Sequence, residues 1–74
     1  MRFALLYQAT TTALYGQLGW TYTRIAGIDK QGRTYPIALR SRVIVARTIE
    51  NAAEQAESYR NPAEVFVAAV PVLQ

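Results

Sequence analysis

The chain has 74 residues, eight of them Lys or Arg and five Asp or Glu, with no Cys and no His. That length is a single α+β-sized domain (residues 1–74), which buries only about 60% of the surface its unfolded chain exposes and leaves little room for an enclosed active site. The missing thiols and imidazoles exclude disulfides, thiolate metal sites and the commonest nucleophile and base, so the expected function is non-enzymatic, without cofactor or metal.

Residues 2–8 (Arg-Phe-Ala-Leu-Leu-Tyr-Gln) read as a strand. The stretch from Ala9 to Leu18 fits either a helical turn or a loose connection, because Thr10, Thr11 and Thr12 are β-branched and disfavour helix. Gly19 to Ile28 is rich in aromatic and β-branched residues and predicts a strand. Asp29-Lys30-Gln31-Gly32 has the chemistry of a type I turn inside a hairpin. Arg33 to Leu39 is the returning strand, and Pro36 within it calls for an edge or a bulge. Pairing Ile28 with Arg33 sets Ala26 opposite Tyr35 and Arg24 opposite Ile37. One face then carries Trp20, Tyr22, Arg24, Ala26, Ile28, Tyr35, Ile37 and Leu39, and this is the expected core side.

Arg42 to Arg47 is another extended segment, separate or continuing the previous strand past a kink at Arg40-Ser41. Thr48 has the chemistry of an N-cap, with Glu50 well placed in the first helical turn. The helix is expected from Ile49 to about Arg60, with a stripe of Ile49, Ala52, Ala53, Ala56 and Tyr59 or Arg60, and with Glu50, Glu54 and Glu57 on its wet side. Asn61-Pro62 stops it. Glu64 to Leu73 is the last strand, apolar on both faces. The expected fold is α+β: a small twisted antiparallel sheet with one helix packed on one face. Reading residues 10–18 as a helix gives the alternative, a ferredoxin-like βαββαβ order.

Three features bear on function. One Ala-lined helix cannot cover both faces of a sheet, so either residues 9–18 hide the second face or apolar surface is exposed for a partner or for self-association. Charges are segregated along the chain: Arg24, Lys30, Arg33, Arg40, Arg42 and Arg47 precede Glu50, Glu54, Glu57 and Glu64, which predicts one basic and one acidic surface. Aromatics lie among the basic residues, so Arg24, Arg40, Arg42 and Arg47 with Tyr22 and Tyr35 are the candidate partner-binding residues. No stretch approaches the ~18 apolar residues of a membrane span. The N-terminal apolar run is too short for a signal-peptide core. The expected location is the cytoplasm, with no membrane partner.

The segment Ala46-Arg-Thr48-Ile-Glu50-Asn-Ala52-Ala-Glu54-Gln-Ala56-Glu57, with Pro62-Ala63 and Val67 to Val70, resembles the second half of the small phage-encoded inhibitors of bacterial RNA polymerase. The resemblance covers about a third of the chain. It implies one helix on a three-stranded antiparallel sheet and a host-cytoplasmic protein whose partner is RNA polymerase. The arginines that matter in that family's closing strand have no counterpart in Ala68-Ala69-Val70-Pro71. The expected function is thus a protein-binding module that inhibits or regulates a nucleic-acid-processing machine such as bacterial RNA polymerase. Direct nucleic-acid binding, a counter-defence role of the anti-CRISPR kind, and a homodimer remain as alternatives.

Overall fold

The computed structural model describes residues 1–10 and 22–73. Four strands, β1 (Arg2–Ala9), β2 (Thr23–Ile28), β3 (Thr34–Val45) and β4 (Glu64–Pro71), form one antiparallel sheet in the order β2-β3-β1-β4. Between β3 and β4 lie α1 (Ile49–Gln55) and a single 3₁₀ turn (Ala56–Tyr59), packed on one face. The expected α+β sheet-and-helix fold is therefore present. Among the described residues its sheet has four strands, where the phage-inhibitor resemblance implies three. Residues 10–18, on which the ferredoxin-like alternative turns, lie almost wholly outside the described residues, as does Trp20. No helix among the described residues is long and apolar enough to cross a membrane.

Strand β3 is the spine of the molecule. Its first half pairs with β2 (Thr34↔Ile28 to Leu39↔Thr23) and its second half with β1 (Leu39↔Gln8 to Val45↔Arg2). The two extended segments read around Arg40-Ser41 are thus one continuous strand of 12 residues. Pro36 fits inside it because it lies beyond Leu39, where the β1 ladder ends. Counting ladder alternation from the Asp29 N–H to Arg33 C=O bond (3.0 Å) puts Pro36 at a non-hydrogen-bonded position towards β2.

The hairpin turn forms as its sequence predicts, but with one more residue in the loop. Asp29 C=O accepts from Gly32 N–H at 3.0 Å, Asp29 Oδ1 accepts from the backbone N–H of Gln31 and Arg33, and Gly32 sits at φ 80°. A type I turn followed by a left-handed glycine is the three-residue hairpin with a bulge. That glycine moves the register by one: Ile28 faces Thr34, Ala26 faces Pro36 and Arg24 faces Ala38. A one-residue slip exchanges the faces of a strand. Tyr35, Ile37 and Leu39 therefore share a face with Thr23, Ile25 and Gly27, not with Arg24, Ala26 and Ile28.

The core is built on alternate residues of β1. Phe3, Leu5 and Tyr7 are buried, and against them lie Ile44, Ala46, Ala52 and Ala56, with Tyr59, Phe66 and Ala69 at the margin. Burying a Phe or Leu side chain is worth roughly 1.5–3 kcal/mol, so β1 supplies most of the apolar stabilisation. The helix adds only alanines, which let it sit close. Thr48 caps it as expected, its Oγ1 accepting from Asn51 N–H at 3.0 Å. The predicted single helix to Arg60 instead tightens to 3₁₀ after Gln55. Two carbonyls of that last turn point inward: Ala56 C=O accepts from the Tyr7 hydroxyl (2.7 Å) and Tyr59 C=O from Arg40 (3.0 Å). These bonds satisfy helix-end acceptors that the helix itself cannot. Ala53 and Ile49, placed on the buried stripe by periodicity, are exposed, while Glu50, Glu54 and Glu57 face water as expected.

Candidate functional site

Two regions collect the residues with chemistry: a buried polar joint in the middle of the sheet and the hairpin that projects from it. The joint is built by an arginine in mid-β3 and a glutamate at the first position of β4. Arg40 Nε donates to Glu64 Oε2 at 2.8 Å and Nη2 to Oε1 at 2.7 Å, a two-pronged pair in which both side chains are almost wholly buried. The Arg40 guanidinium also lies 4.5 Å from the centre of the Tyr7 ring. Glu64 is further held by the Tyr22 hydroxyl (2.6 Å, to Oε2) and the Asn61 backbone N–H (2.9 Å, to Oε1). Charge-assisted, two-pronged bonds of this kind are the strong ones.

The turn Asn61-Pro62-Ala63-Glu64 aims the carboxylate. Glu64 N–H donates to Asn61 C=O (3.2 Å), Pro62 occupies the second position, and Ala63 takes φ 62°, the left-handed conformation a type II turn demands at its third position. Thr10 anchors the turn from the end of β1, donating from N–H (2.9 Å) and Oγ1 (2.6 Å) to Ala63 C=O. Burial alone would raise the Glu64 carboxyl. The bonds from Arg40, Tyr22 and Asn61 outweigh it and bring the pKa down to about 2. Burial and the bond to the Glu64 carboxylate push the Tyr22 phenol up, and the bond to Glu64 raises Arg40. At neutral pH the joint is an ionised pair, and both Glu64 oxygens are taken by internal donors.

The hairpin is the other region. From Thr23 to Ile37 no residue of β2, the turn or the first part of β3 is buried, on either face. Ile28 is 70% exposed, Tyr35 46% and Ile25 45%. At Gly27 the Tyr35 ring crosses over its cross-strand partner: a Cβ there would meet the far ends of the Tyr35 and Ile37 side chains at 2.5–2.8 Å and would displace them. Arg24, Ile25, Ala26, Thr34, Tyr35 and Pro36 line an open hollow of about 360 Å³ on this arm. At its tip Arg33 Nε pairs with Asp29 Oδ2 at 3.1 Å.

The six candidate partner-binding residues are thereby split. Arg40 is not a contact residue: it is buried and neutralised by Glu64. The Tyr22 hydroxyl is likewise committed to Glu64, at the root of the arm. Arg24 and Tyr35 lie on the arm but on opposite faces. Arg42, exposed on β3, lies with its guanidinium 4.3 Å from the centre of the Tyr59 ring, and Arg47 is exposed just before the helix. Nor do the charges form one basic and one acidic surface. Asp29, Glu57 and Glu64 each hold an arginine, Arg33, Arg60 and Arg40 respectively. Segregation along the sequence is undone by folding, because Arg40 of β3 reaches over Tyr7 of β1, the strand between, to Glu64 of β4.

Glu64 and Ile28 are the positions sequence reading undervalued. A lone acid opening an otherwise apolar strand, and a lone arginine between Leu39 and Ser41, are the signal for the pair. No family model, curated protein or solved structure matches the chain.

Proposed function

We propose that the chain is a non-enzymatic protein-binding domain that docks through the β2–β3 arm, with Ile25, Ile28 and Tyr35 as apolar anchors and Arg24 and Lys30 as a basic rim. The observation that carries this reading is the exposure of large apolar side chains on both faces of a two-stranded ribbon. Such a ribbon is marginal alone in water, and exposed apolar clusters rimmed by charge mark contact sites.

A protein surface suits the arm better than a nucleic acid does. The apolar anchors outnumber the basic rim, and one further cation, Arg33, is already held by Asp29. Phosphate-driven binding relies on cations free to displace counterions. Arg42 and Arg47 remain as outlying charges able to steer association with an acidic partner.

The resemblance of residues 46–70 to the phage-encoded polymerase inhibitors makes bacterial RNA polymerase the first partner to test. Purified polymerase should bind the immobilised protein. Tyr35→Ala and Ile28→Ser should each weaken binding about 30-fold, the scale of a buried anchor, while Arg47→Ala changes mainly its salt dependence. No binding to polymerase rejects that target. Binding to DNA or RNA that falls steeply with salt and survives Ile28→Ser rejects the protein-docking reading.

A further inference from the structure

The two edges of the sheet are chemically unlike. An edge strand presents unpaired N–H and C=O groups, and proteins usually blunt it with charge. The β2 edge carries Arg24 and runs directly into Asp29 and Lys30. The β4 edge carries nothing of the kind: from Val65 to Leu73 there is no charged residue, and Val65, Val67 and Val70 are 47%, 50% and 44% exposed. Its one acid, Glu64, is buried and paired with Arg40. Among the described residues, β4 pairs with β1 alone.

The outward groups of this edge can be counted. Val72 N–H donates to Arg2 C=O at 2.9 Å, and the register sets Val70 opposite Ala4, Ala69 opposite Leu5 and Ala68 opposite Leu6. Ladder alternation then turns Val70 and Ala68 towards β1 and leaves the N–H and C=O of Ala69 pointing away from it.

We propose that β4 is a homodimer interface, pairing antiparallel with β4 of a second copy about a two-fold axis at Ala69 and making one continuous eight-stranded sheet. A two-fold contact must be complementary to itself, and this edge is. The axis sets Ala69 against Ala69 of the second copy. On the face away from α1 it sets Val70 against Ala68 of the second copy, and the reverse, so a large side chain meets a small one twice. The regular contact ends on either side of this stretch: the register of β4 on β1 shifts between Leu6 and Tyr7, so that Val67 has no β1 partner, and Pro71 has no N–H to donate. No like charges meet across the axis, although each chain carries +3.

Sedimentation equilibrium of the full chain over a wide concentration range tests this. The expected result is a concentration-dependent species of twice the 8.3 kDa chain mass. Val67→Lys and Val70→Lys should each return a single-chain mass with an unchanged far-ultraviolet circular dichroism spectrum, while Ile25→Lys on the arm leaves the dimer intact. The chain has no cysteine, so Ala69→Cys supplies the only thiol. Directly opposed residues of an antiparallel pair are ~5.5 Å apart at Cα, within disulfide reach. Mild oxidation should therefore give a covalent dimer.

A single-chain mass at every concentration overturns the proposal. So does a dimer that survives both lysines but falls apart with Ile25→Lys, which would put the contact on the arm. Partner binding through the arm is read independently, since the β4 lysines lie outside it.

Discussion

The body and the arm share one strand and nearly the same residue types, yet differ in what that composition achieves. In the body, the second half of β3 pairs with β1, and β1 with β4; Phe3, Leu5 and Tyr7 disappear beneath α1 and the 3₁₀ turn. In the arm, the first half of β3 pairs with β2 in full register, but Ile25, Ile28 and Tyr35 remain in water. Ladder hydrogen bonds alone contribute modestly, because they replace bonds to water. What separates the halves is a second layer, which the arm lacks among the described residues. The comparison teaches that strand content here does not measure stability. The arm belongs to the low-stability part of the molecule, and Arg40, Glu64 and Tyr22 tie it to the rest.

The largest expected effect comes from cutting that tie. Glu64→Ala takes the carboxylate away from the buried Arg40 guanidinium and removes the acceptor of the Tyr22 hydroxyl and Asn61 N–H bonds. Removing one partner of a buried pair costs roughly 3–5 kcal/mol, a large share of the stability of a small domain. Urea unfolding should show that loss. Replacing both residues, Arg40→Leu with Glu64→Leu, should recover part of it, because no charge is then left buried. If Glu64→Ala unfolds with the wild-type midpoint, the joint does not hold arm to body.

Acid acts on the same pair more gently. The folded Glu64 carboxyl titrates at about 2 against an ordinary 4.5. A depressed acid contributes stability that is fully present above the unfolded value and is lost as pH falls through the folded one. The melting temperature should therefore hold down to about pH 5 and then drop between pH 4.5 and 2. The free energy involved is on the order of 3 kcal/mol at about 1.4 kcal/mol per pKa unit. Glu64→Gln should start lower and flatten that part of the profile. A wild-type profile of the same slope as Glu64→Gln would assign the acid sensitivity elsewhere.

The elements that were legible in the sequence are those fixed by local chemistry. Thr48 caps, Pro62 stops, Asp29 and Gly32 turn, and alternating apolar residues mark β1. Three things were not legible, and each is a matter of pairing. The register of β2 on β3 hinged on whether Gly32 lies inside the turn or forms its bulge, a choice of one residue that decides which face Tyr35 joins. The fusion of Thr34–Val45 into one strand depends on two different neighbours arriving on its two halves. The Arg40–Glu64 pair joins residues 24 apart, so a reading by charge blocks counted both as surface. Of the candidate binding residues, Arg24 and Tyr35 were grouped on one face, and the observed register puts them on two.

The smallest global effect is expected where the arm is altered far from the joint, and it sharpens the contrast most. Gly32 has φ 80°, and a methyl group added to it would meet nothing within 4 Å, so Gly32→Ala brings no clash and tests backbone strain alone. A left-handed alanine costs about 1 kcal/mol. If arm and body were one cooperative unit, the whole molecule would lose that amount and every slow amide would exchange faster by the same factor, about fivefold. If the arm opens by itself, amides of Thr23–Ile28 and of Thr34 to Ala38 exchange faster while those of Phe3, Leu5 and Tyr7 keep their rates and the melting temperature barely moves. The second pattern is expected, because among the described residues no buried apolar contact couples the turn to the core and the polar joint lies at the far end of the ribbon.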